Sequence, residues 1–382
     1  MTQPPARQLT EFEKLTHIRD ELSERFVERD EIVRGALAAL LAGEHLLLLG
    51  PVGTAKSMLA VELCQRLSST RYFGWLLTRF STPEELFGPI SVRGLQEDRY
   101  ERVTDSKLPQ AHIAFLDEIF KANSAILNSL LSLINERVYH NGQTPERVPL
   151  ITMFAASNEL PEEGELMALF DRFLLRYTVQ YIQEDYRFLR MLAMPDAPSR
   201  PVQLTLTELH HLQERTRRVV IGEHVLADLV ELRRRLNQKG IVSSDRRYRR
   251  LLDLLRAFAM LDGRNTVEPG DLHHLVHALW NDPAELDEVR LTIQQVFLGH
   301  EDKARELLGQ AREVRAYALR RWDDVEMAMR AGIEAHTKLK RIHSSVEDIL
   351  TEARKKNRRV VEVERILVDV EEIQREILAE GI

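Results

Sequence analysis

Residues 45–57 read His-Leu-Leu-Leu-Leu-Gly-Pro-Val-Gly-Thr-Ala-Lys-Ser, and no other stretch of the 382-residue chain restricts its fold as much. A short run that is wholly apolar has to be covered on both faces, as strands of a parallel sheet are. The Gly-Pro that follows ends the strand, and a helix is expected from Lys56 to Leu67. In a strand–loop–helix of this kind the backbone N–H groups of Gly50, Gly53, Thr54 and Ala55 can converge on phosphate oxygens. The helix N-terminus adds favourable partial charge. Lys56 is then expected to reach the β- and γ-phosphates of ATP, and Ser57 to place its hydroxyl on Mg²⁺. Ala55 stands where the strict motif has Gly; Ala serves there if the residue does not need a positive φ.

Two further apolar runs end in polar groups. Ile113-Ala-Phe-Leu runs into Asp117-Glu118, and Ile151 to Ala156 runs through Ser157 into Asn158. Ligands of parallel sheets bind at the carboxyl ends of strands, which is where these groups fall. Asp117 is expected in the Mg²⁺ shell and Glu118 on the attacking water. The neutral amide of Asn158 can touch the γ-phosphate and that water. With another strand near Leu174 to Val179 and helical segments between, the fold class is an α/β phosphate-loop core, a parallel sheet flanked by helices. An all-α lid and a C-terminal helical arm are expected after it.

Composition agrees with a folded, water-soluble chain: 44% hydrophobic, 30% charged, net charge -7. No overall basic field draws it to nucleic acid. The single cysteine, Cys64, excludes an internal disulfide. The N-terminus shows no apolar signal region, and no run approaches the ~20 residues of a membrane span. The expected location is cytoplasmic. Residues 1–9 read as a loose tail, 10–195 as the nucleotide-binding core, 196–300 as the lid and 301–382 as the long helical C-terminal domain. Helical periodicity covers Thr10 to Ala42. In the C-terminal region Trp322, Val325, Met329, Gly332, His336, Leu339, His343, Val346, Leu350 and Ala353 form one seam, and Val363, Ile366, Val370, Ile373 and Ile377 a second. His273, His274 and His277 cluster without the Glu and third ligand that a zinc site needs, and read as packing or surface residues.

The motifs GPVGTAKS, TRFSTPEELFGP, FLDEIFKA, ILNSLLSLINER, AASNELP and ALFDRFLLR together resemble the MoxR branch of the AAA+ ATPases over about residues 15–300. Ser243 to Tyr248 resembles the RavA type in particular. Members typically carry Ala before the loop lysine. Val52 departs from the usual Pro, and the large β-rich insertion of the RavA type has no counterpart. The resemblance implies an arginine finger at Arg172, with Arg176 as fallback. It also implies a sensor arginine at Arg246, brought by the lid over the phosphates of its own subunit, with Arg247 as fallback. Segments Pro83–Thr104 and Tyr139–Gln143 resemble the insertion and hairpin that face the pore of related motors; plain solvent-exposed turns are the alternative. Further implications are a homo-hexameric ring, a partner with a von Willebrand A domain, a protein substrate and a chaperone-like role in metal or cofactor insertion. The alternative is a nucleic-acid-directed motor, against which the mixed charge of the candidate pore loops speaks.

Overall fold

The computed structural model describes residues 9–161, 164–194, 201–297, 300–319, 325–355 and 360–379. Five strands, β1 (Leu46–Leu49), β2 (Tyr72–Leu76), β3 (Ile113–Asp117), β4 (Thr152–Ser157) and β5 (Leu175–Thr178), make one parallel sheet in the order β2-β3-β4-β1-β5. In β1 and β4 every residue is buried, which is why their apolar runs were legible. β2 was not expected. It lies at the sheet edge, only Phe73 of its five residues is buried, and Gly74 interrupts it. The register fixes two edges of the sheet. Leu46 lies opposite Phe154 and Leu175 at the amino ends; Leu49 lies opposite Ser157 and Thr178 at the carboxyl ends.

The helical stretch Thr10–Ala42 is made of two helices. A Thr10–Glu13 capping box opens α1 (Glu11–Arg25), and α2 (Asp30–Ala42) follows a break at Phe26–Arg29 where Glu28 takes φ 59. The core continues with α3 (Lys56–Gln65), α4 (Ser124–Glu136), α5 (Glu165–Arg172) and α6 (Asp185–Leu192). Helices α7 (Leu206–Arg217), α8 (Glu223–Gln238), α9 (Asp245–Leu261) and α10 (Leu286–Phe297) follow. Gly240, at φ 81, turns the chain between α8 and α9. Helix α9 packs across α2 and α7, and Arg34 meets Asp262 at 3.0 Å. The histidines lie at this contact: His274 stacks on Phe258, and His277 stacks on Tyr177 and meets Glu31 at 3.1 Å. Among the described residues no group of three or more His, Cys, Asp or Glu is placed to hold a metal ion, and no helix is long and apolar enough to cross a membrane.

By its contacts the chain falls into two compact units, residues 1–222 with 237–289, and 223–236 with 290–382. Most of α8 thus takes its neighbours from the C-terminal segment, across the expected division near residue 300. Within the second unit, α11 (His300–Ala318), α12 (Val325–Lys355) and α13 (Val361–Ala379) share one core, and each packs on the other two. The α13 seam is buried throughout, from Val363 to Ile377. Of the expected α12 seam Gly332, Leu339, Val346, Leu350 and Ala353 are buried, whereas Met329 and His336 are exposed; Ala331, Ala335 and Ile342 are buried beside it. Trp322 and the side chain of Val325 lie outside the described residues, as does most of the basic run after Lys355.

Candidate functional site at the carboxyl ends of the strands

The phosphate loop leaves β1 and enters α3. Gly50 is required at its start, because a Cβ there would sit 2.1 Å from the carbonyl oxygen of Val179, the residue just after β5. Ala55 takes φ 63, the left-handed region. The condition under which Ala was expected to serve is therefore not met, and the loop carries a strain of about 1 kcal/mol at this residue. Lys56 is buried, and its Nζ donates to the carbonyl oxygens of Gly50 and Pro51, both at 2.7 Å. Burial pushes the ammonium pKa down, and the carboxylates of Asp117 and Glu118 push it back up. Ser57 is exposed in the first turn of α3.

β3 ends at Asp117, whose Oδ1 accepts from the backbone N–H of Glu118 at 3.0 Å. Glu118 itself takes φ 53, a second left-handed residue, of the kind that clusters at working sites. Asn158, just past β4, donates from Nδ2 to Glu118 Oε1 at 2.7 Å, and Lys121 Nζ lies 3.2 Å from Oε2. Because β4 lies between β1 and β3, the loop, Asn158 and the two acids stand side by side at one edge of the sheet. The residues fit ATP with Mg²⁺. A buried ammonium holds carbonyl oxygens that phosphate oxygens can replace, and an exposed hydroxyl and a carboxylate offer the hard oxygen ligands Mg²⁺ takes.

The arginines are elsewhere. Arg172 ends α5 and precedes β5, so it lies at the amino edge of the sheet. It is 23% exposed, 3.7 Å from Asp171, and its pKa is lowered by burial and then by the cation of Arg246. Arg246 is exposed in the first turn of α9, its Nη2 2.5 Å from Asn135 Oδ1 at the end of α4. Expected over the phosphates of its own subunit, Arg246 instead stands beside Arg172, a strand length of about 13 Å or more from the loop edge. The reason is the seating of α9. Arg247 is buried and donates to the carbonyl oxygens of Asp171, Phe173, Leu174 and Ala278, with its pKa lowered to about 10 by burial. Arg176 is likewise buried: it donates to Phe170, Phe173 and Trp280, and lies 3.8 Å over the Phe170 ring. Both fallback arginines are structural clamps without access to a ligand.

Residues 13–202 match the family model described as the MoxR domain in the MoxR-vWA-beta-propeller ternary systems, and residues 224–293 match an AAA lid domain. An uncharacterised protein of Methanocaldococcus jannaschii is 38% identical over 362 residues, 94% of this chain and 96% of that one. The chain belongs to the MoxR family of AAA+ ATPases. The chaperone MoxR1 of Mycobacterium tuberculosis is 28% identical over 275 residues, 67% of this chain and 71% of that one. A crystal structure named provisionally as an ATPase, from Cytophaga hutchinsonii, shares the fold with a TM-score of 0.60 at 17% identity, covering 75% of this chain and 94% of that one.

Two features of this MoxR-family chain were missed in its sequence. Phe26, Arg29, Ile32, Leu48, Leu59 and Val179 line a small cavity of about 10 Å³ directly behind Thr54, Ala55 and Lys56. It exists because the α1–α2 break turns Phe26 and Arg29 inward and Arg29 donates to the Gln180 carbonyl. No local motif announces it. The second feature joins the two segments singled out as pore loops. The side chain of Asn141, at the tip of the hairpin 138–147, accepts from Arg102 N at 2.7 Å and donates to Arg102 O at 3.2 Å. A Cβ at Gly142 would lie 2.1 Å from Tyr100 O, so the hairpin and the segment Pro83–Thr104 are fastened together.

Proposed function

We propose that this chain is an ATP-hydrolysing motor that works as a homo-hexameric ring and remodels or activates a protein partner. The observation that carries the reading is the 2.7 Å bond between Asn158 and Glu118 beside the phosphate loop. It gives the carboxylate a fixed orientation from which it can draw a proton from water. Lys56 exchanges its loop carbonyls for the β- and γ-phosphates. Ser57 and Asp117 are the residues that would hold Mg²⁺, which supplies charge neutralisation on the transferring phosphoryl group.

Arg172 and Arg246 serve the phosphates of a neighbouring subunit. Their place at the far edge of their own sheet supports this, and so does the clamping of Arg176 and Arg247. A guanidinium matches phosphoryl oxygens bidentately, so turnover then depends on assembly. The partner is a von Willebrand A-domain protein, in line with the systems the matching model describes, and the task is chaperone-like, with metal or cofactor insertion as its form. The RavA-type likeness and a cytoplasmic setting belong to the same reading. Its working modules are a tail to residue 9, a core over 10–195, a lid over 196–300 and a C-terminal domain over 301–382.

Filter binding and phosphate release test it. Lys56→Ala should lose ATP binding, whereas Glu118→Gln should bind ATP and hydrolyse it at least about 100-fold more slowly. Normal turnover by Glu118→Gln would overturn the role given to the carboxylate.

A further inference from the structure

The chain turns sharply after β3. Glu118 takes its left-handed backbone, and one 3-10 turn, Ile119–Lys121, follows it. The Lys121 N–H donates to the Glu118 carbonyl at 2.9 Å, so the turn carries Lys121 back beside Glu118. Its Nζ lies 3.2 Å from Oε2, while Asn158 holds the other oxygen, Oε1. Glu118 is mostly covered, at 13% exposed, whereas Lys121 is 42% exposed and able to swing away. Beside them lies a cavity of about 460 Å³, with Arg79, Glu118, Phe120, Lys121, Glu159 and Leu166 among its walls. Glu159 is exposed and follows Asn158 directly. Its backbone is fixed just past β4, where Ser157 Oγ donates to its carbonyl at 2.7 Å and accepts from its N–H at 3.1 Å.

We infer that Lys121 is a positioning residue that changes partners across this cavity, from Glu118 in the idle chain to Glu159 in the working one. The inference rests on the reading of Glu118 as the group that activates water. A general base needs an oxygen open to the water whose proton it takes. With Asn158 on Oε1, that oxygen is Oε2, and an ammonium stands against it. The same cavity offers the ammonium a second carboxylate. Its walls carry two cations, Arg79 and Lys121, and two carboxylates, Glu118 and Glu159. Moving the ammonium from one carboxylate to the other leaves the net charge of the cavity unchanged. An ion pair this open to water holds by a factor of about five at most, ~1 kcal/mol, so it restrains the base without disabling it.

The test is phosphate formation in a single turnover, with steady-state kcat and KM beside it, on variants of the full chain. Lys121 and Glu159 are both exposed, and retained ATP affinity reports a retained fold. Lys121→Met should raise the single-turnover rate and kcat about three- to fivefold, the scale of the ion pair, with ATP affinity within about twofold of the parent. Lys121→Gln decides if the apolar side chain lowers affinity. Lys121→Arg, which restores a cation, should bring kcat back to the parental value. Glu159→Gln should lower kcat about threefold, because Lys121 loses its second seat. Lys121→Met combined with Glu159→Gln should run as fast as Lys121→Met alone, because no restraint is left to relieve. Lys121→Met at or below the parental rate overturns the restraint, and a double variant as slow as Glu159→Gln overturns the exchange. Glu118→Gln separates these failures from failure of the underlying reading. Parental turnover by Glu118→Gln removes Glu118 as the base and this inference with it; a slow Glu118→Gln beside an unaccelerated Lys121→Met overturns the inference alone.

Discussion

The two edges of the central sheet use charge in opposite ways. At the carboxyl edge Lys56 is held by the Gly50 and Pro51 carbonyls, Asn158 donates to Glu118, and Lys121 pairs with Glu118, contacts that a phosphate can enter. Among the arginines at the amino edge, Arg176 and Arg247 are sealed among backbone carbonyls while Arg172 and Arg246 keep access to solvent. The carboxyl edge is a nearly complete site. The amino edge is a clamp that also presents two cations away from any acceptor phosphate of its own chain. On the proposed function, the contrast teaches that one chain holds both halves of a catalytic centre and keeps them apart.

The largest effect should come from the presented arginines. Arg172→Ala should bind ATP like the parent yet lose about 10³-fold in turnover, the scale of an arginine finger. Retention of parental turnover would break the comparison at its amino edge. The clamped arginines should behave differently. Arg247→Ala and Arg176→Ala leave several buried carbonyls without donors and should each lower stability by about 3 kcal/mol, seen as an earlier urea midpoint. If either variant melted normally and lost only turnover, clamp and finger would have to be exchanged.

Sequence alone could not have sorted these four arginines. Arg172 and Arg176 flank the start of one strand, and Arg246 and Arg247 are adjacent; burial decides their roles, and burial is set by where α9 packs. What was legible followed from local pattern: the apolar runs of β1, β3 and β4, the loop glycines and the paired acids. The edge strand β2 escaped because four of its five residues are exposed, Gly74 among them. In the α12 seam Met329 and His336 lie exposed, and Ala335 and Ile342, one residue before His336 and His343, are buried instead. The left-handed backbone of Ala55 and Glu118 has no signature in those residue types at all.

A smaller effect concerns pH. His274 is held neutral between Phe258 and the cations around it, its pKa lowered from 6.5 to about 2 by burial first and then by His273 and Arg34. The unfolded chain therefore binds this proton first as pH falls below about 6.5. The group's contribution is complete above that value and is lost progressively on acidification. Stability should fall by about 2 kcal/mol between pH 7 and pH 5 from this residue. His274→Phe should flatten that part of the denaturant-midpoint profile, and an unchanged slope would show that the imidazole is not held neutral. The smallest effect is expected at the loop. Ala55→Gly relieves the left-handed backbone but adds freedom to the unfolded chain, so ATP binding should persist and stability should shift by no more than about 1 kcal/mol. A thermal melt with and without nucleotide reads it.

The separation of the two half-sites is tested most directly by mixing two dead variants. Arg172→Ala keeps an intact loop edge, and Lys56→Ala keeps an intact arginine edge. Mixed in equal amounts at concentrations where the parent assembles, they should recover a measurable fraction of parental phosphate release, because some interfaces join a whole loop to a whole arginine edge. Mixtures that stay as inactive as either variant, under conditions where the two are shown to co-assemble, would contradict the account.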